Sequence, residues 1–216
     1  MAISTGLPEG GGRNERRKAR TRASLLAAAR QLFAAQGMEA TTIAEIAERA
    51  DIAIGSFYNY FRTKDDVLAA LLQDALRDQL GVLQARQEGI DDPAERVSVA
   101  HRHLVLAVGD DPDWAWLLVR LEVPHNVTDA VLGEHAMADL RDGIDRGRFR
   151  VTDPEVALRA SGGALISVMH GLLLGEFGPG AGSAHAEGVL RSFGVDDEEA
   201  AEIARRPLPE APVSRG

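Results

Sequence analysis

The residues whose types indicate chemistry lie close together in one short segment, IGSFYNYFRTK, at residues 54–64. Tyr58, Asn59 and Tyr60 place two phenol hydroxyls and an amide within three positions, and such groups donate hydrogen bonds to DNA phosphates and base edges. Lys64 adds an ammonium group at the first turn of the next helix, where it suits a phosphate. The segment favours nucleic-acid binding over the alternative, a buried tyrosine pair beside a solvated run of charges.

Positive charge is concentrated at the same end of the chain. Residues 1–64 contain ten Lys or Arg and six Asp or Glu, the remainder contains 14 and 27, and the 216-residue chain has a formal net charge of −9. Six of the basic residues lie at 13–22, with Arg17 among them, and such a run can follow a DNA backbone or enter a groove. A basic end on an acidic chain predicts that only this end contacts a polyanion.

Composition excludes several classes of protein. Cysteine is absent, which excludes disulfide scaffolds, thiolate zinc sites and cysteine nucleophiles. The longest nearly uncharged apolar stretch, residues 162–175, is shorter than the roughly 20 residues that a membrane-spanning helix needs. The first residues lack the apolar core of a signal peptide. We therefore expect a soluble protein in the cytoplasm.

Helix signals surround the polar segment. Residues 16–36 have helical periodicity and end before Gly37, a residue type that caps helices in the left-handed conformation. Thr42 and Glu45 have capping-box spacing and predict a short second helix, and a third follows at about 54–60. Two short helices joined by a tight turn predict a helix-turn-helix unit whose second helix lies in the DNA major groove. Its predicted buried face consists of Ile46, Ala50, Ile52, Phe57 and Phe61.

The rest of the chain is also predicted to be helical. Three helices begin after Asp-Pro pairs at 92–93, 111–112 and 153–154, in which the carboxylate caps the helix and proline takes its first position. A leucine stripe predicts a long helix at about 63–87. About nine helices and no sheet give an all-α fold. Two of the helices that begin at Asp-Pro pairs are predicted to span about 112–122 and 154–174. The remaining predicted ranges are about 127–146 and a last helix or pair at 183–205.

The C-terminal part lacks catalytic and metal-binding patterns. It has no Walker loop, no G-x-S-x-G and no H-E-x-x-H motif. His101 and His103 are two positions apart and point to different sides of a helix, which makes a poor metal pair. We predict no enzyme activity, no metal and no cofactor. His101 lies on an apolar helix face, either as a core histidine bonded to a carbonyl or as a polar contact to a bound ligand.

Residues 25–72 resemble the DNA-binding domain of the TetR (tetracycline repressor) family. The resemblance rests on the order and spacing of four parts: a helix ending LFAAQG, the helix TTIAEIAERA, the segment GSFYNYF and the restart TKDDVL. It covers about a quarter of the chain. It implies a dimeric, ligand-responsive transcriptional regulator, usually a repressor. It also implies DNA contacts at Thr42, Gly55, Ser56, Tyr58, Tyr60 and Lys64.

The chain departs from the family pattern at two places in the helix-turn-helix unit. Ala44 stands where a basic residue is often found, and Ala53-Ile54 stands where a polar residue or lysine often precedes the glycine. An apolar side chain cannot make a bidentate contact to guanine, but it can touch a thymine methyl group. We therefore expect base readout through Ile54, Asn59 and backbone geometry.

The resemblance also implies a ligand cavity among the middle helices of the C-terminal domain. Trp114 and the leucines that follow it share one helix face, for which the alternative is ordinary core packing. A largely apolar cavity predicts a small hydrophobic or aromatic effector. The candidate lining residues are His101, Leu104, Trp114, Leu117, Leu118, Leu121 and Met137.

A row of small residues marks a candidate dimer interface. Small residues at three-to-four spacing permit close approach of two helices, and the alternative is packing within one chain. Two helices from each subunit, at about 154–174 and 183–195, are predicted to form a four-helix bundle. The residues assigned to this face are Ala160, Gly163, Ala164, Ser167 and Gly171, together with Val189, Leu190 and Phe193.

These predictions give a chain of four parts and one main function. The parts are a flexible basic leader at 1–15, a helix-turn-helix DNA-binding domain at 16–62, a ligand-binding and dimerisation domain at 63–205 and a disordered tail at 206–216. The predicted function is a repressor dimer that occupies a palindromic operator and is released by its effector. The alternatives are an enzyme with its active site in the C-terminal helical domain and a ligand-insensitive DNA-binding protein.

Overall fold

The protein is helical throughout the part that can be described. The computed structural model describes residues 11–120 and 132–210, except for the side chains of Arg13, Leu117 and Arg120. Within these ranges the chain forms ten α-helices and no strand, which confirms the all-α prediction. The helices are α1 (Gly11–Ala40), α2 (Ile43–Arg49), α3 (Ile54–Phe57), α4 (Lys64–Gln87), α5 (Pro93–Asp110), α6 (Pro112–Arg120), α7 (Glu134–Asp145), α8 (Pro154–Leu173), α9 (Ala181–Ser192) and α10 (Asp197–Arg205).

The described helix count exceeds the predicted one because the C-terminal segment forms two helices. The segment at 183–205 was predicted as a helix or a pair, and the structure has α9 and α10 there, with Gly194 at a φ of 86° between them. Parts of the predicted helices at 112–122 and 127–146 lie outside the described residues.

The chain divides into two compact units, Met1–Leu71 and Leu72–Gly216. The division falls within α4, whereas the predicted domain boundary at 62/63 lies in front of that helix. Helix α1 begins at Gly11, inside the range predicted to be a flexible leader. The first ten residues of that leader and the last six of the predicted tail lie outside the described residues.

The connection from α1 to α2 has the predicted cap at Thr42, but Gly37 has a ψ of 160° rather than the left-handed helical conformation predicted for it. Gly37 interrupts α1 with a φ of 80°, a conformation that glycine adopts without the steric cost of a side chain. Thr42 caps α2: its side-chain oxygen accepts a hydrogen bond from the Glu45 amide, and the Glu45 carboxylate accepts one from the Thr42 amide at 2.7 Å. The capping box is therefore confirmed, and it fixes where α2 begins.

The apolar face of the helix-turn-helix unit packs inward. Ile46 and Phe57 are fully buried and Phe61 is nearly so, whereas Ala50 and Ile52 are only half-buried. The turn between α2 and α3 is closed by the Ile52 amide, which donates to the Ala47 carbonyl at 2.9 Å, and by Asp51 at a φ of 54°. Helix α1 contributes the buried residues Leu25, Ala29, Leu32 and Phe33 to the same unit.

The core of the C-terminal unit corrects one part of the predicted dimer interface. Helix α5 packs against α7, α8, α9 and α10. The apolar side of α9 closes this core, so the predicted interface residues Val189, Leu190 and Phe193 are buried within their own chain beside Leu140 and Phe149. The alternative of packing within one chain is the one observed for these three residues. Their neighbours Ala184 and Gly188 face outward.

Helix α8 leaves much of its apolar surface uncovered by its own chain. Among the described residues it alone is long and apolar enough to cross a membrane, by length and composition only, and most of it is not buried. Four of the predicted interface residues, Ala160, Gly163, Ala164 and Ser167, are exposed. Gly171 is not, because the Phe177 ring of the same chain packs where a side chain would start. An exposed apolar helix face is typical of a subunit interface as well as of a membrane span.

Candidate DNA-binding surface and ligand cavity

The recognition segment, residues 54–61, presents side chains on both sides of one buried anchor. Phe57 has no exposed surface, whereas Ile54 and Tyr58 are 50% and 55% exposed. Helix α3 itself is shorter than predicted and ends at Phe57, and the segment continues as turns in which the Tyr60 amide donates to the Phe57 carbonyl at 2.9 Å. Gly55 and Asn59 are exposed, and Ser56 and Tyr60 are half-buried. The segment therefore offers its polar groups to the outside.

Aromatic rings pack against one another within the recognition segment, and a cation–π contact joins the segment to α1. The Phe57 ring meets the Tyr58 ring edge-on at a centroid distance of 5.6 Å and lies 6.0 Å from the Phe61 ring. The guanidinium carbon of Arg22 lies 5.7 Å from the Phe61 ring centroid, a cation–π geometry. The last arginine of the basic run thus stacks on the end of the recognition segment.

The remaining basic run lies on the surface of α1. Arg16, Arg17, Lys18 and Arg20 are all exposed, on the N-terminal part of the helix. They form a positively charged segment of the kind that neutralises phosphates.

Two predicted DNA contacts have partners inside the protein. The Thr42 hydroxyl caps α2 and also donates to the Glu45 carboxylate at 2.8 Å. Backbone and side-chain hydrogen bonds from Thr42 hold the pKa of Glu45 below its usual value. The Lys64 ammonium group, for which a phosphate contact was predicted, donates instead to the backbone oxygens of Met38, Glu39 and Thr41.

The C-terminal unit contains a cavity of about 580 Å³. Its wall is built from α4, α5, α6, α7 and α8, and most of the side chains that line it are apolar, including Leu76, Leu83, Leu158 and Met169. A volume of this size fits a drug-sized ligand. Four predicted lining residues lie on its wall: His101, Leu104, Leu118 and Met137.

Of the other three predicted lining residues, the structure describes only the side chain of Trp114. Trp114 does not line the cavity: it is buried, and its indole N–H has no hydrogen-bond partner among the described residues. Core packing, the alternative for this tryptophan, is what the structure shows. The side chain of Leu117 and the whole of Leu121 lie outside what is described.

His101 pairs with another histidine rather than with a carbonyl. Its Nδ1 lies 2.9 Å from Nε2 of His185 on α9. Burial and the neighbouring His185 lower the pKa of His101 to about 3, and burial lowers that of His185. Both rings are therefore neutral at pH 7 and share one N–H···N hydrogen bond. His103 points away to the Gln79 carbonyl at 3.2 Å, as its spacing from His101 predicts.

A polar cluster on the cavity wall was not found by the sequence analysis. The carboxylate of Asp139, which is buried, accepts hydrogen bonds from Arg96 Nε at 2.7 Å and from the Gln87 amide at 3.2 Å. His135 Nε2 donates to the other end of the Gln87 amide at 2.7 Å. His135 and Asp139 both line the cavity. Their i, i+4 spacing is the only local signal, and it does not indicate that Gln87 and Arg96 come from two other helices.

Both units match known protein families. Residues 25–71 match the family described as bacterial regulatory proteins, tetR family. Residues 92–206, more than half of the chain, match the tetracyclin repressor-like C-terminal domain. The chain belongs to the TetR family. It is therefore a transcriptional regulator by family, and the relatives that it matches are regulators rather than enzymes.

Solved and curated relatives of this TetR-family chain include one with a bound ligand. The crystal structure of RolR in complex with resorcinol shares 35% sequence identity and a TM-score of 0.79, covering 92% of this chain and 100% of that one. The regulator TcmR of Streptomyces glaucescens is 33% identical over 48% of this chain and 45% of its own length. The repressor KstR2 of Mycolicibacterium smegmatis is 30% identical over 42% and 48%. The chain spans less than half the length of these two curated relatives.

Proposed function

We propose that this protein is a cytoplasmic repressor that binds a palindromic operator as a homodimer and is released by a small aromatic effector. The main support for the proposal is the recognition segment, in which exposed Ile54 and Tyr58 flank the buried Phe57 at the basic end of the chain. The same chain also contains a cavity that can hold an effector. A gel shift with duplex DNA from upstream of its own gene tests it. Specific retardation that resists competitor DNA supports the proposal, and its absence contradicts it.

The DNA-binding surface consists of the recognition segment and the exposed part of α1. The phenol hydroxyls and backbone amides contact phosphates, and Ile54 and Asn59 contact base edges. Thr42 contributes by fixing the start of α2, and the α1 arginines neutralise the backbone. The residues that we assign to this surface are Arg17, Thr42, Ile54, Gly55, Ser56, Tyr58, Asn59 and Tyr60.

Ile54 is expected to read a thymine methyl group. Replacing one contacted thymine by deoxyuracil in each half-site removes the methyl and should weaken the wild type by about 4-fold per half-site, because burying one such group contributes about 0.8 kcal/mol. In Ile54→Ala the same replacement should have no effect, as measured by gel-shift titration. Leu106→Ala, at an exposed apolar position on α5, is the control. An Ile54→Ala variant that still discriminates thymine from uracil contradicts this readout.

The effector is a small ring compound that carries hydroxyl groups. The apolar wall accommodates an aromatic ring, while His101, His135 and Asp139 supply hydrogen-bond partners at its edge. Resorcinol, the ligand of RolR, is a compound of this class. Helix α4 contributes Leu76 and Leu83 to the cavity wall and begins at Lys64, directly after the recognition segment. A ligand that shifts α4 therefore changes the spacing of the two recognition segments.

Ligand and operator are each expected to lower the affinity of the protein for the other, and by the same factor. Resorcinol or a related dihydroxybenzene should dissociate the protein–DNA complex, and bound operator should weaken ligand binding by an equal amount, about 5–150-fold. Calorimetric titration with and without operator DNA measures both sides of this relation. Equal ligand affinity in the two titrations contradicts ligand-controlled release, and conversion of the compound to a product favours the enzyme alternative.

The dimer forms through the exposed face of α8 and the outer side of α9. Val156, Ala160, Ala164 and Ser167 lie at helical spacing along this face, and Ala184 and Gly188 lie on the adjacent helix. Most of these side chains are small, so two copies of α8 can approach closely. A symmetric dimer covers the apolar surface that one chain leaves open and pairs two recognition segments with two half-sites.

A further inference from the structure

The Lys64 ammonium group lies among three backbone carbonyl oxygens at the end of α1. Its Nζ donates to the oxygens of Met38, Glu39 and Thr41 at 2.7, 3.3 and 2.7 Å. An ammonium group has three N–H donors, so each of them has a partner. These oxygens follow Gly37, at which the helical geometry of α1 is interrupted, and they belong to the turn that leads into α2. Backbone carbonyl oxygens in such a turn accept hydrogen bonds from a cation, and the Met38 oxygen also accepts one from the Thr41 amide at 3.2 Å.

The same region contains further interactions that converge on the start of α2. Thr41 is fully buried, and its hydroxyl donates to the Gly37 carbonyl at 2.8 Å. The Gln36 amide lies 3.4 Å from both the Thr41 hydroxyl and the Glu45 carboxylate. Glu45 in turn completes the capping box of α2 with Thr42. Lys64 thus joins a network that determines where α1 ends and where α2 begins.

The position of Lys64 in the chain gives these bonds a consequence for the recognition segment. Residue 42 begins the helix-turn-helix unit and residue 64 follows it, so bonds from Lys64 to residues 38–41 tie together the two ends of the unit. We propose that Lys64 is a positioning residue, which holds the recognition segment in its DNA-binding orientation and does not itself bind a phosphate. The proposal rests on the DNA-binding function proposed above.

Replacement of Lys64 by arginine distinguishes a phosphate-binding role of this residue from a positioning role. A guanidinium group binds phosphates at least as well as an ammonium group does. Its N–H donors, however, lie in a plane on three separate nitrogen atoms, and they cannot converge from one atom on three carbonyl oxygens. A phosphate-binding Lys64 therefore tolerates replacement by arginine, whereas a positioning Lys64 does not.

The salt dependence of DNA binding is a second way to distinguish the phosphate-binding role of Lys64 from the positioning role. Each phosphate that a lysine neutralises adds about −0.9 to the slope of log K against log salt concentration. Removing one phosphate-binding lysine from each subunit of a dimer therefore lowers the magnitude of the slope by about 1.8. Removing a positioning residue weakens binding without this change. The chain supplies a matched control in its other lysine, the exposed Lys18 of α1.

The experiment compares Lys64→Met, Lys64→Arg and Lys18→Met in the full chain, with upstream duplex DNA titrated at several salt concentrations. We expect both Lys64 variants to bind at least about tenfold more weakly, the lower range for loss of a charge-assisted hydrogen bond, with an unchanged slope. Lys18→Met should reduce the slope. If Lys64→Arg binds DNA with wild-type affinity and Lys64→Met has a reduced salt slope, the proposal is overturned.

Hydrogen exchange tests the same bonds without DNA. Amide exchange at residues 36–46 should be about tenfold faster in both Lys64 variants than in the wild type, because the network there opens more readily, and it should be unchanged in Lys18→Met. Unchanged exchange in Lys64→Met overturns the positioning role even if affinity falls. If the wild type fails to bind DNA, the proposed function fails, and the exchange measurement still decides the role of Lys64.

Discussion

Replacing Gly55 by leucine is expected to weaken operator binding by about 100-fold without destabilising the fold. A Cβ atom at this position meets no protein atom within 4 Å, so the added side chain points out of the recognition segment. On DNA it occupies space that the backbone of α3 needs for close approach. A loss of about 1.4 kcal/mol at each of two half-sites gives the expected factor. Fluorescence anisotropy with labelled operator measures it.

The control for this variant is Gly81→Leu on α4. Gly81 is also exposed, lies within a helix and has no atom within 4 Å of an added Cβ. Both variants should unfold thermally at or slightly above the temperature of the wild type, because a helical glycine costs about 0.5–1 kcal/mol relative to alanine. Wild-type DNA affinity in Gly55→Leu would show that α3 does not approach DNA closely.

Ala164→Glu is expected to convert the dimer into a monomer. The residue is exposed in the single chain and lies in the middle of the α8 face, where the proposed dimer brings two copies together. The two carboxylates would lose water and face each other unpaired, which is strongly unfavourable. DNA affinity should fall by about 10²–10⁴-fold, because the second recognition segment no longer binds as part of the same molecule. Analytical ultracentrifugation and anisotropy measure the two effects.

The matched control places the same charge on another helix. Gly81→Glu adds a carboxylate to the exposed face of α4, outside the proposed interface, and should remain dimeric. Because Ala164 does not line the cavity, the monomeric Ala164→Glu variant should still bind the effector. A dimeric Ala164→Glu protein would exclude this face of α8 as the interface.

The sequence alone determined the helix-turn-helix unit, since its signals are local. The Thr42–Glu45 capping box, the glycine at 37 and the alternation of Phe57 with exposed neighbours each involve residues within a few positions of one another. Such interactions are fixed by backbone geometry and helical periodicity. For the same reason, the starts of the helices after Asp92 and Asp153 were predicted correctly, with both aspartates capping them.

The tertiary structure decided which partner each predicted face meets. Periodicity shows that one side of α9 is apolar, but only the packing of α5 and α7 shows that Val189, Leu190 and Phe193 face their own chain. The bond from His101 to His185 and the cluster around Asp139 join positions far apart in the sequence. Lys64 is the clearest case: its type and place suit a phosphate, but three carbonyl groups lie within reach of its ammonium group. Sequence spacing describes neighbours along a helix, whereas these contacts depend on how separate helices are placed in space.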